Sequence, residues 1–223
     1  MTGHPNAIVL AILAASGVGT VRADDGDLGA FHVSIRGEHF YTSYRIDAVF
    51  TDRVKEKLTS GLTTTLLLHT AMFEEGRISP LTANVREIRV KYDVWEERFA
   101  VYQEDKFRRV KYWAKSYDEL VDSLKWVADL AIAKKGDLAR DKKVQLRVRV
   151  DIDPVSKELM DRVRAYVENP GGHRDEGRSR SLFGSLARLF GRSRQVEGFA
   201  AFVFRSPVFS MSQVFEKAEG ERR

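Results

Sequence analysis

The stretch VREIRVKYDVW constrains the fold more than any other part of this chain. In it Ile88, Val90, Tyr92 and Val94 alternate with Glu87, Arg89, Lys91 and Asp93. A period of two places the apolar set on one face of a β-strand and the charged set on the other. A strand of this kind needs neighbours, and the chain supplies them. FHVSI and the run through Phe40, Tyr44, Ile46, Ala48 and Phe50 alternate in the same way around RGEH, which predicts a hairpin. TTTLLLHTAMF is rich in β-branched and apolar residues and suits a strand buried on much of both faces. ERFAVYQ and RRVKYW continue the meander through a charged turn at EDK, and VQLRVRVDID adds a strand whose arginines must share it with its valines.

Helices fill the gaps. Asp52 is placed to cap RVKEKLTS, which has only Val54, Leu58 and Leu62 to bury and stops at Gly61. Ser116 and Glu119 have the spacing of a capping box. After them Tyr117, Leu120, Val121, Leu124, Val127, Ala128, Ala131 and Ile132 form an apolar stripe at helical spacing, which predicts one long helix over 116–133 that ends at Gly136. Asp153-Pro154 predicts a further helix start, with KELMDRVRAYVEN running to Asn169. EGFAAFVFRSPVFSMSQVF reads as a last strand and EKAEGERR as a frayed polar tail. The expected fold is α+β: an antiparallel β-sheet or sandwich, one long packed helix, short accessory helices and a basic amphipathic insertion.

With 223 residues, the chain is expected to form one domain over 24–223, with 170–195 inserted into it. Residues 1–23 read as a signal peptide. AIVLAILAASGVG is apolar but short for a bilayer span, and VRA precedes the acidic DDGD, so cleavage is expected after Ala23 and the mature protein in the periplasm. The chain has no cysteine, which excludes disulfides, thiolate metal sites and a cysteine nucleophile. Lysine and arginine exceed the acids by five, a mild bias toward anions.

In order, the strand pair containing GEHFYTSYRIDAVF, the short helix after DRV, LTTTLLLHTAMF, VREIRVKYDVWEERFAVY, SYDELVDSLKWV and VQLRVRVDID resemble an exported bacterial family, domain of unknown function 4390. The resemblance covers 28–153, with SPVFSMSQVF standing where the family's tryptophan-containing ending is expected. It implies an envelope location and lends no activity.

Candidate chemistry is sparse. His32, His39, His69 and His173 lack the i, i+4 spacing of a helical zinc site, and His69 reads as a strand histidine. No catalytic, cofactor or metal residues are assigned. Asp151 and Asp153 share a strand face and could hold a hard cation, but the expected roles are an ion pair for Asp151 and a helix cap for Asp153. Strand alternation separates the bases and rings of KFRRVKYWAKSY onto opposite faces, so no nucleic-acid partner is expected.

RSRSLFGSLARLFGRSR, 178–194, is the exception. Leu182, Phe183, Leu186, Leu189 and Phe190 have the spacing of one helical face, ringed by Arg178, Arg180, Arg188, Arg192 and Arg194. Such a segment can lie in an anionic membrane interface, fill the groove of an envelope partner, or dock on its own domain. The expected function is that of a non-enzymatic envelope protein contacting a membrane surface or a partner through these ten residues. The alternative is a small-ligand carrier or enzyme, with a site between sheet and helix lined by Tyr92, Trp95, Tyr112, Trp113 and Trp126.

Overall fold

A computed structural model describes residues 24–28, 30–154 and 198–220. Its strands are β1 Asp24–Asp27, β2 Phe31–Arg36, β3 His39–Arg45, β4 Thr63–Glu74, β5 Pro80–Asp93, β6 Arg98–Glu104, β7 Arg109–Ala114, β8 Trp126–Lys134, β9 Lys143–Ile152, β10 Ala200–Arg205 and β11 Phe209–Ser210. Its helices are α1 Asp52–Leu58, α2 Tyr117–Leu124 and α3 Met211–Gly220.

The strands form two sheets. The large one runs β1-β10-β9-β4-β5-β6-β7, with β11 also on β9, and the small one runs β2-β3-β8. Every pairing is antiparallel except that of β1 with β10, so the large sheet is mixed. The small sheet covers one face of the large one, here the inner face. Leu66, Leu68 and Met72 of β4, Val144 to Ile152 at alternate positions of β9, and Ile88 and Val90 of β5 meet Val33, Ile35, Phe40, Tyr44 and Leu130 in one core. Two polar contacts set the alignment of the layers. The Tyr44 hydroxyl lies 2.6 Å from Thr70 Oγ1, and the Asn84 side-chain amide donates to the Ala131 carbonyl. Both are buried, where an unmade hydrogen bond would be costly.

The capped helix is shorter than its stripe. Ser116 Oγ accepts from Glu119 N at 3.1 Å as expected, while the Glu119 carboxylate accepts from Lys115 N rather than from Ser116 N. The helix ends at Leu124, and the second half of the expected 116–133 helix is strand β8. The reason lies in the pairing of β3 with β8, whose register shifts at Phe40/Tyr41 and again at Thr42/Tyr44, with Asp129 at φ 51°. Bulges break the period of two. Val127, Leu130 and Ile132 therefore reach the core at spacings that imitate a helix, and Gly136 lies in a 3₁₀ turn rather than at a helix end.

The C-terminal end also differs from expectation. SPVFSMSQVF is not strand throughout: β11 is two residues long, and α3 runs on to Gly220 through what reads as a polar tail. Met211 and Phe215, four apart, are buried, and the Phe215 ring meets Phe40 edge-on at 5.5 Å. Packing of Met211 and Phe215 anchors a segment whose Gln213, Glu216, Lys217 and Ala218 already favour helix. At α1 the cap is Thr51, whose hydroxyl accepts from Val54 N, so Asp52 falls inside the helix. Val94 turns outward, at 55% exposure. The signal peptide, the helix expected over 153–169 and the insertion at 170–195 lie outside the described residues, apart from Asp153 and Pro154.

Candidate functional site

The outer face of the large sheet carries the side chains that point away from the core, and it divides in two. Across β9, β4 and β5, Arg149, His69 and Val85 stand in one register row, and Asp151, Leu67 and Glu87 in the next. Alternation predicts that such residues face water, yet His69 is 1% exposed and Arg149 and Asp151 are each 4% exposed. The Arg149 guanidinium meets the Asp151 carboxylate through Nε at 2.9 Å and Nη2 at 2.8 Å. His69 Nε2 lies 3.4 Å from Asp151 Oδ2, an ion-pair distance for a protonated ring but not a well-formed hydrogen bond.

Burial pushes the Asp151 carboxyl upward, but His69 and Arg149 outweigh it, and the net shift is below the usual carboxylate range. The short Arg149 contacts are the stronger cause, since the ring nitrogen makes no bond of good geometry. Asp151 thus takes the arginine partner expected for it. Asp153 Oδ1 accepts from Thr65 N at 2.7 Å, and its Oδ2 lies 2.9 Å from Lys57 Nζ, so both oxygens are engaged. Among the described residues, no group of three or more His, Asp or Glu side chains could hold a metal ion. The row is sealed from water and holds charges inside the sheet.

The other half of the outer face, over β5, β6 and β7, is open. Lys91, Ala100 and Trp113 form one row, and Arg89, Tyr102 and Lys111 the next. Each exposed ring carries a cation: the Arg98 guanidinium lies 4.0 Å from the Trp113 ring centre, and Lys111 Nζ 5.0 Å from that of Tyr102. Arg98 also pairs with Glu96, and Arg109 with Glu104. Among the described residues, no acid is ion-paired to Lys91 or Lys111. Arg98 has its anion in Glu96 and Arg89 in Glu87, so Lys91 and Lys111 are the cations that the described part of this face leaves for an outside anion.

Residues 23–167 match the description Domain of unknown function (DUF4390). The chain belongs to the DUF4390 family. The DUF4390 match takes in β1 through β9 and continues past Pro154, whereas β10, β11 and α3 lie beyond it. No curated protein and no solved structure matches the chain. The ten residues expected to make the contact, Arg178, Arg180, Leu182, Phe183, Leu186, Arg188, Leu189, Phe190, Arg192 and Arg194, all lie outside both the described residues and the DUF4390 match.

The five aromatic residues of the alternative site do not converge. Trp95 stands on the β5–β6 turn at 92% exposure, Trp113 lies on the outer face, and Trp126 starts β8 at 43% exposure. Tyr92 and Tyr112 pack against the core instead. Two features escape a reading of the sequence. The His69–Asp151–Arg149 row depends on the pairing of β4 with β9, which no local pattern encodes. The open cationic face has a local signal, the bases and rings of KFRRVKYW, but only the pairing with β6 shows that Lys111 and Trp113 share a face with Tyr102 and Lys91.

Proposed function

We propose that this DUF4390 protein is a non-enzymatic envelope protein. It is exported through cleavage after Ala23 and docks on an anionic surface, either a membrane or an envelope partner. The observation that carries this reading is the open face of β5–β7, where Arg98 rests on Trp113 and Lys111 on Tyr102 with Lys91 beside them. The ring–cation pairs hold the charges outward across three adjacent strands, which suits an extended surface better than a small molecule. The segment 178–194 supplies the second contact, with its arginines among anionic groups and its phenylalanines and leucines at the apolar boundary. Each base near an anionic bilayer contributes about 1 kcal/mol, so the association is reversible and sensitive to salt.

Co-sedimentation with phosphatidylglycerol vesicles at low and high salt tests this. Lys91→Glu with Lys111→Glu, and separately Arg188→Glu with Arg192→Glu, should each weaken binding and flatten its salt dependence. Parent protein that stays in the supernatant at low salt and ignores acidic envelope proteins would overturn the reading. Export is tested by intact mass from the native host, which should give Asp24 as the first residue.

A further inference from the structure

The large sheet ends in two edges of opposite charge. β1 and β7 are its terminal strands, and among the described strands β1 pairs only with β10 and β7 only with β6. Each therefore keeps one row of main-chain N–H and C=O groups without a strand partner, a template on which another strand can add. Both pairings run in unbroken register, from Asp24↔Phe202 to Asp27↔Arg205 and from Phe99↔Ala114 to Glu104↔Arg109, and neither strand contains proline. Bulges and prolines, two common guards of an edge, protect neither strand.

Charge is the guard that remains. β1 is DDGD, three acids and no base. The segment 106–115, KFRRVKYWAK, contains β7 and carries five bases and no acid. Asp27 and Lys111 are both exposed, and among the described residues neither takes part in an ion pair. Like charges facing each other destabilise a strand pair, and opposite charges favour it. One sign on both edges would keep all copies apart. With opposite signs β1 repels β1 and β7 repels β7, but β1 attracts β7.

We infer that β7 of one copy of this chain adds to β1 of the next, so that the large sheet continues from molecule to molecule. A second copy is the occupant because one chain carries both complementary edges. The two surfaces differ, so the contact is head-to-tail, and each added copy leaves an edge of each sign for another. One short strand on another makes a small interface, so assembly is weak and depends on concentration. It also fades as salt rises, because the attraction is between exposed charges. The inference needs neither a membrane nor the segment 178–194, although a row of copies would multiply a weak contact made by the β5–β7 face.

The test uses the purified chain without vesicles. Equal amounts of unlabelled and ¹⁵N-labelled copies are treated with a water-soluble carbodiimide, which joins a carboxylate to a lysine amine with no spacer. β1 and β7 are six strand spacings apart, roughly 29 Å at about 4.8 Å each, so an amide between their charged residues cannot form within one copy. Links from Asp24, Asp25 or Asp27 to Lys106, Lys111 or Lys115 should therefore appear as mixed-label pairs. Sedimentation velocity should show species that grow with concentration at low salt and return to monomer at high salt. Lys111→Glu alone and Asp27→Lys alone should each lower the link yield by about tenfold. Mixing the two variants should restore it, because the first keeps the parental β1 and the second the parental β7. A chain that stays monomeric at every concentration overturns the inference. So do mixed-label links that avoid these two strands, single variants that assemble like the parent, or a variant mixture that fails to recover.

Discussion

At the scale of single residues, charge burial decides most. Arg149 and Asp151 neutralise each other within a nearly dry sheet face, so removing one charge leaves the other in a poor solvent. Asp151→Ala should therefore destabilise the fold by about 3–5 kcal/mol, read from urea midpoints. Because the folded Asp151 carboxyl lies below its ordinary value, its contribution is present above the usual carboxylate range and fades as pH falls through and below it. Tyr44 has the opposite pH window. Burial pushes its hydroxyl up to about 12, against a lowering contribution from Thr70. Its contribution is complete below the ordinary tyrosine value near 10 and is lost as pH rises from there toward 12. Tyr44→Phe should cost about 1 kcal/mol at neutral pH and shallow the alkaline loss of stability.

At the scale of elements, β8 is the instructive case. The strands β2, β3, β5 to β7 and β9 were legible in their period of two and β4 in its run of β-branched and apolar residues, and a one-residue slip would put Ile88 or Val90 in water. β8 keeps no single period, because two bulges re-aim Leu130 and Ile132, and the sequence then mimics a helix. The true helix, α2, remains the part with the cap. Leu124 is buried at its last residue, so Leu124→Ala should cost about 2–5 kcal/mol, and Ser116→Ala about 1 kcal/mol, both by chemical denaturation. α3 was illegible for a different reason. Its sequence reads as a continued strand and a polar tail, whereas the packing of Phe215 on Phe40 and Arg140 is visible only in the folded chain. Phe215→Ala should cost about 3–5 kcal/mol and melt α3 first, seen as a loss of helical circular dichroism below the main transition.

At the scale of the whole molecule, the two halves of the outer face differ in exposure, and the sequence hides the division. Alternation marks Glu87, Arg89, Arg149 and Asp151 alike as outward, yet Arg149 and Asp151 are sealed while Arg89 is half open. What separates them is the third dimension: β4 and β9 run down the middle of the sheet, while β7 forms its edge. The contact proposed at 178–194 rests on composition and spacing alone and lies outside the described residues, whereas the open face required the order β5-β6-β7. Reversal of Lys91 and Lys111 should leave the melting temperature within about 2 °C, since the residues are exposed, while vesicle binding falls.

The strand order also fixes a sequence of events. β10 sits between β9 and β1, and Asp24 pairs with Phe202, so among the described strands the earliest is held by one of the last. A chain growing at about 5–20 residues per second carries β1 and the edge of β9 unmatched until nearly all of it has been synthesised. Such a late clasp, between residues at opposite ends of the chain, slows the closure of the native state. The growing chain therefore stays pliable until its last strands have emerged.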